Sequence, residues 1–430
     1  MDIKNKIYIK NPLHTDGCRA DILIEGNRIV AIGSNMTEEQ TAGAKVIDGS
    51  RKAVIPGLVN MHTHSPMSFF RGFGDDLDLM DWLNNMIWPV EAHMTPEDIY
   101  VGSKLACLEM IKSGTSCFLD MYSFPEGTAK AVDEMGLRAN LSYTVFDQGN
   151  PKRAELDKQR LNFYLKDFEN YSDRVQLSVG PHAIYTVSGP MLQYSHDFAK
   201  ANNLLVHIHM SETKGEVENC IKEHGMSPIR YLNDLGILSP NVVMAHSLWL
   251  DSEEIQILAD NGVSCVHNPA SNMKLASGYH FKFEELKEKG IKVGIGTDGV
   301  SSSNNLDMFT AMKLASFLSK AWSGDPKSAK STDIFKAATE VGSEILHLDA
   351  GKIEVGMLAD LAILDLDLPE MTPCHNLISN VVYSASGSVV DTMIVDGKIL
   401  MEGRKVEGEE EIMEELREVT QDLFKRAGKA

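Results

Sequence analysis

Residues 53–64 read AVIPGLVNMHTH, an apolar run that carries Pro56-Gly57 near its start and stops on two histidines one residue apart. In a strand the side chains alternate, so His62 and His64 point to one face. Seven further runs share this texture: TSCFLDM from 115, RANLSYTVF from 138, VQLSVGPHA from 175, LLVHIHMSE from 204, VVMAHS from 242, VSCVHNP from 263 and KVGIGTDG from 292. Longer amphipathic stretches separate them. Gly114, Gly136, Asn203, Gly262 and Gly290 each stop such a stretch just before a strand. Thr95-Pro96-Glu97-Asp98 and Asp251-Ser252-Glu253-Glu254 read as helix starts, with a capping side chain and acids in the first turn. Nearly continuous apolar strands separated by helices predict a parallel sheet covered on both faces, and eight of them suit a (β/α)8 barrel.

The ends of the chain read differently. IYIKNPLH, RADILIEGNRIVAIG and AKVIDGS alternate apolar and polar residues, with Gly26-Asn27 as a hairpin turn. LADLAILDLD, VVYSA and VDTMIVDGKILMEGRKV repeat that texture late, with Asp396-Gly397 as the turn. The expectation is an α/β protein: a TIM-type barrel over residues 56–360 and a small β-sandwich domain built from residues 1–55 and 361–406. Ile412, Leu416, Val419 and Leu423 lie at helical spacing and predict a terminal helix over 407–430.

Composition bounds the function. The chain has 430 residues, 43% hydrophobic and 24% charged, which is ordinary globular usage and excludes a disordered chain or a collagen. Its charge is 41 − 61 = −20, a surface that repels phosphate backbones and anionic lipid, so a nucleic-acid polymer or membrane partner is not expected. No apolar run approaches the roughly 18 residues of a membrane span. The opening MDIKNKIYIKNPLHTDG lacks the apolar core of an export signal. A cytoplasmic protein is expected, with Cys18, Cys107, Cys117, Cys220, Cys265 and Cys374 as reduced thiols.

Seven of the 14 histidines, His62, His64, His182, His207, His209, His246 and His267, fall at or near the C-terminal end of a predicted strand. In a barrel those ends form the catalytic face. An isolated His-x-His is often two core histidines. Here two further ligand candidates follow at other strand ends. His209 is the third, although His207 shares its face and orientation does not separate them. Asp298, in GIGTDG, is the fourth and a proton acceptor. His246 either ligates or hydrogen-bonds the water on the metal. Three imidazoles and a carboxylate suit one divalent cation, zinc, with ferrous iron the alternative. Such an ion brings the pKa of its water near 7. The fourth run contains no lysine that could bridge a second ion. Glu212, three residues after His209, is placed to move a proton between that water and a substrate.

These motifs resemble the amidohydrolase superfamily and, within it, the 5-methylthioadenosine/S-adenosylhomocysteine deaminases. The resemblance covers nearly the whole chain and rests on PGLVNMHTHSPMSFFRG, DDLDLMDWLNNMIWPVEA, GPHAIYTVS, HMSET, MAHSLWL, VHNPASNMKLASG, GIGTDGVSSSNNLDMF and GKIEVGMLADLAILDLD. It implies His62, His64, His209 and Asp298 as ligands of one metal per subunit, His207 falling where the family varies. It implies that Glu212 protonates the purine N1, that His246 orients the attacking hydroxide, that Glu91 accepts hydrogen bonds from ribose hydroxyls and that His182 is a second substrate contact. One position departs. Tyr143 stands where some relatives carry an arginine suited to a homocysteine carboxylate, so a neutral 5'-substituent fits at least as well; Arg153 lies nearby in sequence. The expected reaction is hydrolytic deamination of the adenine ring of methylthioadenosine, S-adenosylhomocysteine, 5'-deoxyadenosine or adenosine, in purine salvage, by a homo-oligomer. The alternatives are a relative acting on guanine, a pterin, cytosine or a triazine, and an inactive scaffold, which would be expected to have lost ligands.

Overall fold

The computed structural model describes residues 5–34 and 36–429. Residues 1–4 and Asn35 of the expected small domain, and Ala430 of the terminal helix, lie outside them. The eight apolar runs form one eight-stranded sheet in sequential order. Its strands are β1 (Leu58–Thr63), β2 (Thr115–Tyr122), β3 (Arg138–Val145), β4 (Val175–Pro181), β5 (Val206–Met210), β6 (Val242–His246), β7 (Ser264–His267) and β8 (Val293–Ile295). Neighbours run parallel, and helices connect them. The sheet curls into a nearly closed barrel. Where no ladder joins β8 to β1, other hydrogen bonds stitch the seam. Asp298 N donates to His62 O at 2.9 Å. The Asn60 amide donates to Thr297 Oγ1 at 2.7 Å and accepts from Thr297 N at 3.0 Å. This seam sets the loop after β8 against the end of β1.

The run 53–64 is two strands rather than one. Lys52–Pro56 pairs antiparallel with Leu361–Asp365 outside the barrel, and only from Leu58 does the chain enter it. Pro56 has no N–H to extend a ladder. Gly57 crosses so close to Ser116 that any Cβ would collide with that side chain. Two four-stranded sheets lie outside the barrel. One holds Lys6–Lys10, Asp21–Glu25, Arg28–Gly33 and Lys45–Asp48; the other joins Lys52–Pro56 to Leu361–Asp365, Val390–Val395 and Lys398–Met401. Ile7, Ile9, Ile22 and Ile24 of the first meet Val54, Leu361, Ile363 and Ile394 of the second in one buried cluster, so the two form a β-sandwich fed by both chain ends.

One expected strand is a helix. VVYSA sits at the end of helix Leu377–Tyr383, which Asn376 caps by accepting from Ser379 N at 2.8 Å. Leu377, Val381 and Val382 are buried at helical spacing, a period that overrides the strand preference of valine. The terminal helix is Glu409–Arg426, with Ile412 and Leu423 buried. The six cysteines are free. Among the described residues no helix is long and apolar enough to cross a membrane.

Candidate metal centre and active-site cavity

The ends of β1, β5, β6 and β8 bring distant residues together. Their backbone turns sharply there: Ser211, His246, Ser247 and Asp298 all have positive φ (49°, 73°, 49° and 61°). Side chains seldom adopt that region, and such strain clusters where function fixes both backbone and side chain.

His64 Nδ1 lies 2.6 Å from Met121 O, and His209 Nδ1 lies 2.8 Å from His182 O. A carbonyl only accepts, so both Nδ1 atoms carry the proton in the neutral rings and both Nε2 atoms present lone pairs. Those two Nε2 atoms face each other at 3.3 Å. His62 Nε2 is buried without a hydrogen-bond partner. Asp298 Oδ1 lies 3.3 Å from His62 Nε2 and 3.1 Å from His64 Nε2. Ligand atoms of His62, His64 and His209 all lie within 4.8 Å of one another, as do those of His62, His246 and Asp298. Three imidazole nitrogens and a carboxylate crowded together call for positive charge among them, a proton on His64 or a metal in its place, and this donor set fits a divalent first-row ion.

His207 and His209 share a face of β5 at different depths. His207 Nε2 lies 2.9 Å from His62 Nδ1, and its own Nδ1 lies 3.2 Å from Ser142 Oγ, so it sits behind His62 rather than beside the converging lone pairs. His246 is oriented from the other side. Asn272 Nδ2 donates to its Nδ1 at 2.8 Å, which leaves the proton on Nε2, 3.8 Å from Glu212 Oε2. Ser277 Oγ donates to Glu212 Oε1 at 3.1 Å. Ser271 and Ser302 donate to Asp298 Oδ2 at 2.6 and 3.0 Å.

Burial and the single carboxylate divide the imidazoles. Burial lowers His62 to about 4, despite the nearby Asp298. Burial also opposes charge on His64, but the hydrogen bond and charge of Asp298 override it and raise His64 to about 9. Burial lowers His182 to about 3, keeping that ring neutral. Burial disfavours the charged form of Asp298 as well, yet the His62 and His64 rings beside it hold it well below the usual carboxylate range. Glu212 is raised, chiefly by burial.

These groups line one cavity of about 340 Å³, within the size range of small-molecule sites. Glu91 reaches it from helix Trp88–Glu91 and accepts from the Tyr122 hydroxyl; burial raises its pKa. His182 lines it too, with Nδ1 2.9 Å from Thr186 Oγ1. Trp88 and Phe146 add aromatic faces, their centroids 6.1 Å apart. Tyr143 is not free to meet a ligand through its hydroxyl, which donates to Asp157 Oδ1 at 2.7 Å. Arg160 leans on that hydroxyl at 3.4 Å, and Arg153 donates to Gln148 Oε1 at 2.6 Å. His64, His209, Asp298, Glu212, His246, Glu91 and His182 thus fall on this cavity, His62 lies beneath it with His207 behind, and Tyr143 and Arg153 line a neighbouring pocket instead. Sequence reasoning missed the side chains that hold these groups: Ser271, Asn272, Ser277, Ser302 and Tyr122. The first three stand in NPASNMKLASG, a segment whose density of small polar residues directly after a strand was the available signal.

The chain belongs to the amidohydrolase family, which matches residues 53–400. It is 48% identical over 387 residues, 90% of each chain, to the 5-methylthioadenosine/S-adenosylhomocysteine deaminase of Thermococcus kodakarensis. It is 44% identical over 398 residues, 92% of each chain, to the 5'-deoxyadenosine deaminase of Methanothermobacter thermautotrophicus. Among solved structures it is similar to a zinc-bound adenosine deaminase from Xanthomonas campestris, with TM-score 0.90, 29% identity and 99% of each chain covered. The family fold implies a divalent metal, and the chain is a hydrolase of C–N bonds.

Proposed function

We propose that this protein hydrolyses the exocyclic C6–N bond of the adenine ring in an adenosine derivative, releasing ammonia and the inosine analogue. The observation that carries this reading is one cavity lined by His64, His209 and Asp298, with His62 beneath them completing the donor set, and by two further buried carboxylates with raised pKa, Glu212 and Glu91. His62, His64, His209 and Asp298 would hold one cation per subunit, zinc ahead of ferrous iron. When bound, it supplies a water that is deprotonated near neutral pH. Glu212 takes the proton that the water gives up and delivers it to N1, which lets the ring accept electron density as the C6–O bond forms. The His246 Nε2–H, fixed by Asn272, donates to the attacking oxygen. Asp298 takes that oxygen's remaining proton and relays it to the leaving nitrogen as the C6–N bond breaks, so the water's two protons end on N1 and on ammonia. Glu91, braced by Tyr122, accepts from the ribose hydroxyls, and His182 makes a second substrate contact. The commitment of the Tyr143 hydroxyl to Asp157 favours a neutral 5'-substituent.

The same proposal includes a small domain of residues 1–55 and 361–406 beside a barrel of 56–360, a cytoplasmic homo-oligomer, and a role in purine salvage. Ammonia release from methylthioadenosine, 5'-deoxyadenosine, adenosine, S-adenosylhomocysteine and free adenine tests the substrate class. Turnover of the nucleosides and not of adenine is expected. Turnover of adenine alone, or of no member of the panel, would refute it.

A further inference from the structure

Lys274 closes the short helix Pro269–Lys274, and its ammonium uses all three protons on three different partners. Nζ donates to Asp75 Oδ1 at 2.5 Å, to Ser301 O at 2.9 Å and to Asn304 Oδ1. Each partner matters to the cavity. Asp75 sits on the segment between the 3-10 helix Ser65–Phe70 and helix Leu79–Trp82, and that segment runs on into Leu79, Trp82, Leu83 and Ile87, one wall of the cavity. Ser301 belongs to helix Val300–Ser303, which follows β8, and Asn304 ends it in a left-handed turn, φ 66°.

The two helices that Lys274 joins are the ones that grip Asp298. Ser271, on the lysine's own helix, and Ser302, on the other, both donate to Asp298 Oδ2. Asn272, next to Ser271, fixes the tautomer of His246. We propose that Lys274 is a positioning residue: one cation that holds the mouth wall against the barrel and locks the helices that aim Asp298 and His246. The lysine touches no reacting atom, and its side chain is only 24% exposed. An ammonium suits this place because its three donors diverge from a point, whereas a guanidinium spreads its donors in a plane.

The two functions separate by variant. Asp75→Asn releases the wall and leaves the helices joined. With methylthioadenosine its KM rises roughly two- to five-fold at unchanged kcat, the scale of a partly exposed ion pair. Lys274→Met frees all three arms, raises KM in the same way and lowers kcat about ten-fold or more, because Asp298 and His246 lose their alignment. Cleavage by chymotrypsin between Phe73 and Trp82 quickens in both variants. Wild-type KM and cleavage in Asp75→Asn, or wild-type kcat in Lys274→Met, would overturn the proposal. Should Lys274→Met fail to fold, Asp75→Asn at the rim still decides the wall. The kinetic arm rests on the deaminase reading. The cleavage arm needs no substrate, so it decides the wall clamp even if no adenosine derivative is turned over.

Discussion

At the N-terminal ends of the barrel strands the left-handed positions include Gly114, Gly136, Gly262 and Gly290; at the C-terminal ends they include Ser211, His246, Ser247 and Asp298. Both ends also bury charge. Below the strands, Arg138 Nε and Nη2 donate to the two Asp360 oxygens at 2.7 and 3.3 Å, and Nη2 also donates to Asp396 Oδ1 at 2.7 Å. Arg174 joins through Asp396, 3.8 Å away, and pairs separately with Asp133 at 2.9 Å. Above them, the Nε2 atoms of His64 and His209 face each other at 3.3 Å and His62 Nε2 has no hydrogen-bond partner. The lower end solves most of its turns with the residue that adopts them freely, Asn203 at φ 54° being the exception, and its charges by pairing. The upper end accepts strain and unpaired donors where the chemistry needs side chains. Such strained backbone costs about 1–3 kcal/mol per position. The lower end, where the sandwich packs on the barrel, contributes the stability that offsets it.

If that division holds, a cut at each end damages a different quantity. Asp298→Asn should lower kcat/KM by about 10³-fold or more, roughly 4 kcal/mol of transition-state stabilisation, and reduce metal content, with the unfolding midpoint little changed. A stability loss with preserved turnover would break the comparison. Asp360→Asn should do the reverse. It strips the buried Arg138 of its paired carboxylate, whose side chain is 2% exposed, and such a loss costs about 3–5 kcal/mol. Denaturant unfolding should report it, while kcat of the folded fraction stays at wild type.

Glu216 tests the boundary between the two behaviours. Its carboxylate accepts from Ser211 N and Glu212 N, both at 2.8 Å, and so shapes the turn after β5. Burial pushes its pKa from 4.5 up to about 7, although those backbone hydrogen bonds pull it down. The folded state therefore holds this proton more tightly than the unfolded chain. Its contribution to stability is greatest below pH 4.5, falls as pH rises toward 7, and is lost above that, a swing on the order of 3 kcal/mol. Glu216→Gln should flatten that part of the stability–pH curve. An unchanged curve would show that the carboxylate ionises as freely in the folded protein as in the unfolded one.

The same division explains what the amino-acid sequence discloses. Eight apolar runs and the glycines before them are local patterns, so the barrel and its helix stops are readable. The convergence of His62, His64, His209 and Asp298 is readable because each lies at or just past a strand end, and the barrel carries strand ends to one face. The choice between His207 and His209 is not local. It depends on depth along the barrel axis, which fixes whether an imidazole meets the others or stands behind one. The break at Pro56-Gly57 is equally hidden, because Leu361–Asp365, some 300 residues on, claims the first half of the run. VVYSA misleads because valine and tyrosine favour strands, whereas burial on one helical face decides. Ser271, Asn272 and Lys274 escape because their partners, Asp298, His246 and Asp75, come from other loops.

The smallest expected effect sharpens the comparison most, because it changes a single methyl group. Gly136 ends helix Pro125–Met135 at φ 84° and hands the chain to β3. A Cβ there would stand 2.7 Å from Leu400 Cδ2, the tip of a flexible side chain on a sandwich strand. Leu400 can swing aside, so the dominant cost of Gly136→Ala is the left-handed backbone, about 1–2 kcal/mol. That loss should appear in denaturant unfolding with kcat and KM at wild-type values, since the methyl lies at the opposite end of the strands from Asp298. If turnover fell in step with stability, the two ends would be mechanically coupled through the strands, and the separation drawn from their turns and charges would fail.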